Sequence, residues 1–418
     1  MKLRARWHEF GLLILVAVVA GLGTFYIYFT SGQERQILFY SSALIGLLFF
    51  VHLVLCVWGT GTDQFILPIS AMLSLLGLLG IYRVDSQMAF KQWLWVLLGL
   101  GSFVLIMILV QDYRKLEAYK FIFMLVAIFF LLITVLAGET VGGARAWLEL
   151  GGFRFQPAEI VKILVIFFLA SYLQEIKSAL KVSHNEVFKL LMEPRAMTPI
   201  IIMAGASLGL LAIQKDLGAA LIFFGIFLVM LFTSTASLAF LFIGLGVFSI
   251  GAIIAYYIFG HIRIRVLAWL APWSRIDGSG YQITQSLFAL ASGGIFGSGY
   301  GLGQPQVIPA AATDLIFAVL TEELGLLGGI GIILLFLFIS YRGFRVAIVS
   351  DNNFGILLAT GITTLFALQS FIILSGVMKL LPLTGVTLPF VSYGGSSMLV
   401  SYILLGLLMN VGRSQRSF

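Results

Sequence analysis

Residues Tyr281–Gly328 read YQITQSLFALASGGIFGSGYGLGQPQVIPAAATDLIFAVLTEELGLLG, and the rest of the chain is read outward from them. Gly293, Gly294, Gly297, Gly299, Gly301 and Gly303 crowd the middle, Pro305 and Pro309 follow, and a lone acid stands at Asp314. Glycine and proline at that density cannot continue a membrane helix, so the segment loops, re-enters or lies at an interface. An apolar helical pattern begins directly after Asp314 and carries Glu322 and Glu323. A carboxylate where such a loop meets a membrane helix is costly unless it is wet, paired or used. Two readings stand here. Either the acid is functional, or Thr313 caps the helix and Asp314 complements the helix dipole.

Of the 418 residues, 60% are hydrophobic and 10% charged, and apolar runs long enough to cross a bilayer recur from one end to the other. The chain reads as an all-α polytopic membrane protein with about 12 transmembrane helices: 10–29, 36–58, 64–82, 91–110, 119–137, 158–174, 197–213, 217–233, 237–259, 314–340, 354–375 and 393–411. The first run, after Lys2, Arg4 and Arg6, is longer than a signal-peptide core and has no clear small-residue cleavage site, so it reads as a membrane helix. The single cysteine, Cys56, permits no internal disulfide. A net charge of +7, so thinly spread, excludes a nucleic-acid partner and suits contact with anionic membrane lipids.

An even number of spans puts both termini on one side. Segments 1–9, 111–118 with Lys120, 175–196, 341–353 and 412–418 hold the larger share of the lysines and arginines, which makes that side cytoplasmic. The 175–196 connection mixes Lys and Glu as a solvated interfacial helix would. The opposite face still carries Arg145, Arg154, Lys215, Arg263, Arg265, Arg275 and Lys379 in the loops after helices 5, 7, 9 and 11. Translocated loops tolerate some basic charge; the sharper reading is an outward-facing site for an anionic lipid or phosphate.

Three constellations carry chemistry. In Gly143–Lys162, GARAWLELGGFRFQPAEIVK, the residues Trp147, Arg145 and Arg154 suit a lipid-head interface, and Glu159 and Lys162 fall three apart on one helix face. There they satisfy each other, either as a register-fixing ion pair or as a functional one. Gln214-Lys215-Asp216-Leu217-Gly218 is a polar turn between two apolar runs, a plain hairpin or part of a shared outer site. Pro382–Ser397, PLTGVTLPFVSYGGSS, is a second broken excursion, and irregular backbone at membrane depth needs protein or a water-filled cavity around it. The two broken loops are therefore expected to pack on one another over a common cavity.

FQPAE at 155–159 with Lys162, QKDLG at 214–218, ATDLIFAVLTEELG at 312–325 and PLTGVTLPFVSYGGSS at 382–397 together resemble the SEDS family of bacteria (shape, elongation, division and sporulation; the RodA, FtsW and SpoVE proteins). The resemblance covers roughly residues 64–411. It implies a ten-helix glycosyltransferase core over 61–418, with an outer loop at 260–313, preceded by two additional helices in residues 1–60. It further implies an inverting peptidoglycan polymerase of the bacterial cytoplasmic membrane that joins lipid II units and works with a class B penicillin-binding protein transpeptidase and a divalent cation (Mg or Mn). The family's essential carboxylate falls on Asp314, its outer-loop tryptophan on Trp147 and its helix pair on Glu159 and Lys162. The chain departs from the family pattern at Ala312, Leu315 and Lys215, where histidine, phenylalanine and proline are common, and its Arg145 is displaced by one place.

Such a reaction needs the acceptor hydroxyl deprotonated as it attacks the anomeric carbon, a task for Asp314 as general base. The leaving lipid diphosphate needs charge stabilisation, for which Arg145, Arg154, Lys215, Arg263 and Arg265 are the candidates. The competing readings are a lipid II flippase, because broken helices and intramembrane charge fit transport too, and a membrane scaffold that recruits the transpeptidase.

Overall fold

The computed structural model describes residues 6–30, 35–59, 61–150, 153–180 and 194–413. The described chain forms α1 (Trp7–Thr30), α2 (Arg35–Trp58), α3 (Ile66–Val84), α4 (Ser86–Leu109), α5 (Lys120–Ala137), α6 (Pro157–Leu180), α7 (Pro194–Ile213), α8 (Leu217–Thr235), α9 (Leu238–Ile258), α10 (Gly260–Leu270), α11 (Tyr281–Ser292), α12 (Ile316–Val349), α13 (Asn353–Val377) and α14 (Gly395–Arg413). Uninterrupted apolar runs make these helices, and short polar residues fix where several begin. Asp85 accepts from Gln87 N and Met88 N (2.7 and 3.1 Å) to start α4, Asp216 accepts from Ala219 N (3.0 Å) to start α8, and Asn352 accepts from Gly355 N (2.6 Å) to start α13. Pro157 opens α6 at a position where its missing N–H costs nothing.

Eleven of the described helices are long and apolar enough to cross a membrane. The twelfth expected span corresponds to α6, whose 24 residues reach about 36 Å but carry Glu159 and Lys162. Layering follows burial. The hydrophobic windows of α3 and α14 are 83% buried and that of α13 is 78% buried, whereas that of α9 is only 6% buried. The core is thus α3, α6, α13 and α14, and apolar side chains on the peripheral helices face outward, as lipid solvation allows.

Three regions differ from the sequence reading. The 138–156 connection folds into a small antiparallel sheet, β1 (Glu139–Val141), β2 (Ala144–Leu150) and β3 (Phe153–Phe155), in the order β1-β2-β3. The 260–313 loop carries two helices, α10 and α11. The span expected over 314–340 is the 34-residue α12, interrupted at Gly325 (φ 73°, ψ −175°). The expected interfacial helix lies outside the described residues over 181–193, as do Lys2, Arg4 and Arg416.

The interruption in α12 has an identifiable cause. It frees carbonyls and amides that the glycine-rich loop takes up: Ser298 N and Gly299 N donate to Glu322 O and Glu323 O (2.9 and 3.1 Å), and Leu326 N and Leu327 N donate to Gly294 O and Ile295 O (2.9 and 3.2 Å). α11 and the turn after it therefore run back along the N-terminal part of α12 and dock at its break. Only glycine adopts the backbone angles of Gly325 readily. A Cβ there would stand 2.5 Å from Ile295 O and 2.6 Å from Phe296 C, against backbone that cannot give. Gly325→Ala should cost at least about 2 kcal/mol and lower the thermal midpoint in detergent. Gly331→Ala, which meets open space in the same helix, should not. Equal midpoints for the two variants would show that the break is not a fixed feature.

Candidate active site

Asp314 sits at the end of a tight turn in which Thr313 N, Asp314 N and Leu315 N all point to Ala310 O (3.1, 3.1 and 3.2 Å). Helix α12 begins only at Ile316, with no side-chain cap, and the Thr313 hydroxyl turns back to Ala310 O (3.3 Å). The capping role read for Thr313 is absent because the turn has already satisfied these amides. The turn hangs from the second broken loop. Tyr393 N donates to Ala312 O (2.8 Å), and Ser392 Oγ donates to Thr313 O (2.5 Å) while accepting from Leu388 N (2.9 Å). Gln92, buried in α4, bonds Ser392 O and Gly394 N (3.1 and 3.2 Å). The two loops pack on one another, as expected.

Facing Asp314 is Arg265 of α10. Its Nη1 donates to Thr384 O (2.8 Å), which fixes the guanidinium on the 382–397 loop. Gly385 (φ 75°) lies between the two charges, and a Cβ there would stand 3.5 Å from Arg265 Nη2 and 3.6 Å from Asp314 Oδ2. A cavity of about 70 Å³ opens at this point, lined in part by Arg265, Ser279, Gln282, Asp314 and Gly385. Trp269 Nε1 to Lys379 O (3.0 Å) and Ser286 Oγ to Val377 O (2.9 Å) tie α10 and α11 to the same wall.

The electrostatics suit a reactive acid. Burial pushes the Asp314 carboxyl upward from its ordinary pKa, against the neighbouring Thr313 side chain and the Arg265 charge, which hold it down. Asp216 is likewise pushed up by burial and held down by Ala219 N, Lys162, Gln156 and Arg265. Burial, Arg265 and Lys215 together lower His261.

Behind this wall runs a polar chain. Lys162 Nζ lies 2.8 Å from Glu159 Oε1 and donates to Gln369 Oε1 (3.0 Å), and Gln369 Nε2 donates to Thr387 O (2.7 Å). Glu159 and Lys162 are 4% and 2% exposed, so removing either partner strands a buried charge. Gln156, two residues before Ala158, donates to Asp216 Oδ2 (2.9 Å) and so joins the start of α6 to the 214–218 turn.

Of the basic candidates, Arg265 alone lines the cavity with Asp314. Arg263, two residues away on the same helix and thus about 200° around it, is exposed. Arg145 closes α5 instead, donating to Gly138 O and Leu136 O (2.7 and 3.0 Å), carbonyls its last turn leaves open. Arg154 pairs with Glu149 across β2 and β3, and Trp147 pairs with Glu139 across β1 and β2. Lys215 is exposed at a positive φ of 61° in the tight turn. Sequence reasoning missed Gly385, Ser392, Gln92 and Gln369 as builders of the site. Of these, Gly385 and Ser392 fall in the quoted PLTGVTLPFVSYGGSS run and carried a local signal.

These features define a polytopic helical membrane protein with an acid–guanidinium pair between two broken loops. The family model described as cell cycle protein FtsW/RodA/SpoVE matches residues 56–417. The chain belongs to that family. It is 39% identical over 391 residues to peptidoglycan glycosyltransferase RodA of Mycobacterium tuberculosis, covering 90% of this chain and 83% of that one. To stage V sporulation protein E of Bacillus subtilis it is 33% identical over 372 residues, covering 85% and 98%. A solved peptidoglycan synthase complex contains a chain of the same fold, with a TM-score of 0.71 at 24% identity, covering 86% of this chain and 100% of that one.

The Arg265 charge lowers the Asp314 carboxyl, so its removal must raise it. The base form of Asp314 is the deprotonated one. The acid limb of the pH profile of turnover should therefore move to higher pH in Arg265→Gln. An unmoved limb would show that the two groups do not interact.

Proposed function

We propose that this chain is a peptidoglycan glycosyltransferase that joins lipid II disaccharide units into glycan strands at the outer face of the bacterial cytoplasmic membrane. The observation that carries the reading is Asp314 facing Arg265 across Gly385 in a cavity between the two broken loops. The acceptor hydroxyl gives its proton to the Asp314 carboxylate, its oxygen bonds the anomeric carbon, and the carbon–oxygen bond to the diphosphate breaks with inversion. A pKa raised by burial strengthens the carboxylate as a base near neutral pH. Arg265 meets the charge that develops on the departing lipid diphosphate, which needs no general acid. The Glu159–Lys162–Gln369 chain holds the loop that carries Gly385 and Thr387.

Among the described residues no group of three or more His, Cys, Asp or Glu side chains is placed to hold a metal ion, and Asp314 is opposed by a guanidinium. This donor set does not fit a resident divalent cation, and the steps above use the chain's own groups. The names of the relatives support the polymerase, and the synthase complex supports a transpeptidase partner of the class B penicillin-binding type. Family matching from residue 56 supports 1–60 as an added pair of helices on the 61–418 core. The bias of basic residues supports cytoplasmic termini.

Purified protein with its transpeptidase partner should convert lipid II into long glycan strands in detergent, where a flippase has no measurable task. Asp314→Asn keeps size and hydrogen bonding but loses the base. Turnover should fall by ~10²-fold or more at unchanged folding and partner binding. A fully active Asn variant would remove Asp314 from the role of base. No strands from a well-folded parent complex, alongside lipid II movement in sealed vesicles, would favour the flippase.

A further inference from the structure

Helix α1 lies wholly outside the region the family model matches, yet it is fixed at both ends. At its start Arg6 donates to Gly59 O and Thr62 Oγ1 (both 2.9 Å) and pairs with Glu9 (2.5 Å), which also lies 2.6 Å from His52 Nδ1 of α2. Asp63, whose carbonyl accepts from Arg6 (3.0 Å), is ion-paired with Arg342 near the inner end of α12.

The other end of α1 meets the glycine-rich loop. A Cβ on Gly301 would stand 2.9 Å from Thr30 Cβ, one on Gly299 would be 3.5 Å from the Tyr26 hydroxyl, and one on Gly23 would be 3.5 Å from the Tyr300 ring. The loop's far side is bound to α12. Arg83 joins Gly301 O (2.8 Å) to Glu323 (3.0 Å), Gln304 N donates to Glu322 Oε1 (3.2 Å), and Ser298 and Gly299 cap the carbonyls of the break. From Glu322 back to Asp314 runs one short helical segment. From Gln304 forward to Asp314 run a short 3-10 helix, Pro305–Val307, and then the turn that sets the backbone of Asp314. Both routes to Asp314 leave from the loop that α1 touches.

We propose that Tyr26 and Thr30 are positioning residues for Asp314: α1 is a strut, anchored at the inner face, against which the glycine-rich loop is held. The strut contributes no group to the chemistry. It removes a direction of motion from the loop, and through the loop from the acid. This role rests on Asp314 being the base, but the hold on the loop is measurable without it. Tyr26 is 43% exposed and Thr30 is also exposed, so replacing them takes little from the core.

The test uses the full chain. Thr30→Leu places a larger group against Gly301, Tyr26→Ala removes the contact with Gly299, and Thr30→Ser keeps the parent's shape. Hydrogen–deuterium exchange at the Ser298, Gly299, Leu326 and Leu327 amides should speed up in the first two, with the interior of α13 unchanged. Turnover of lipid II should fall about tenfold or more, since misplacement by about 1 Å can cost ~10²-fold. KM should stay near the parent value, and Thr30→Ser should behave as the parent. Unchanged exchange in both Thr30→Leu and Tyr26→Ala would overturn the strut. Faster exchange with parental turnover would overturn the link to Asp314. If Asp314→Asn proves active, the base assignment fails, while the exchange result still decides whether α1 holds the loop.

Discussion

A backbone N–H or C=O inside a membrane protein has no water to turn to, so every departure from helix at membrane depth must be hydrogen-bonded within the protein. Much of the half of the molecule that holds Asp314 answers that constraint. The break at Gly325 persists because the 294–299 backbone takes up the groups it frees, and the glycine-rich loop is held because the break offers them. The 310–315 turn and the 388–394 loop satisfy one another in the same manner, through Tyr393 to Ala312 and Ser392 to Thr313. The place of Asp314 follows from these reciprocal bonds, since the residue sits between two irregular segments that are stable only together.

Charge obeys a parallel rule. Buried ions are costly unless paired, and here Arg83 with Glu323 and Arg342 with Asp63 join elements far apart in sequence, while the Lys162–Glu159 pair within α6 reaches α13 through its hydrogen bond to Gln369. Arg265 differs. It is bonded to a loop carbonyl, and it faces an acid across a glycine and an open cavity. An acid and a guanidinium left on a common cavity can act on a substrate that carries both a hydroxyl and a diphosphate.

Much of this was legible in the sequence. The run of glycines before Asp314 marked a loop that could not be helix, the i, i+3 spacing of Glu159 and Lys162 predicted their contact, and PLTGVTLPFVSYGGSS announced the second broken segment. The features that stayed hidden have their causes in tertiary structure. EELGLLGG sits in an apolar run that reads as one helix, and only the docking of residues 294–299 shows that Gly325 breaks it. Arg145 looked like a phosphate ligand because nothing in GARAW reveals the open carbonyls of Leu136 and Gly138 that it caps. Likewise, Gln92 and Gln369 are ordinary glutamines until the loops they hold are placed beside them. Arg263 and Arg265 were indistinguishable until the helix was built and their separation around it sent only one toward Asp314.

The most direct test is a structure of the protein with a lipid-linked disaccharide diphosphate bound. The account predicts a sugar hydroxyl within hydrogen-bond reach of the Asp314 carboxylate, about 2.6–3.2 Å, with the diphosphate on the Arg265 side of Gly385. A substrate seated in another groove, with Asp314 and Arg265 still facing one another across an unfilled cavity, would contradict it.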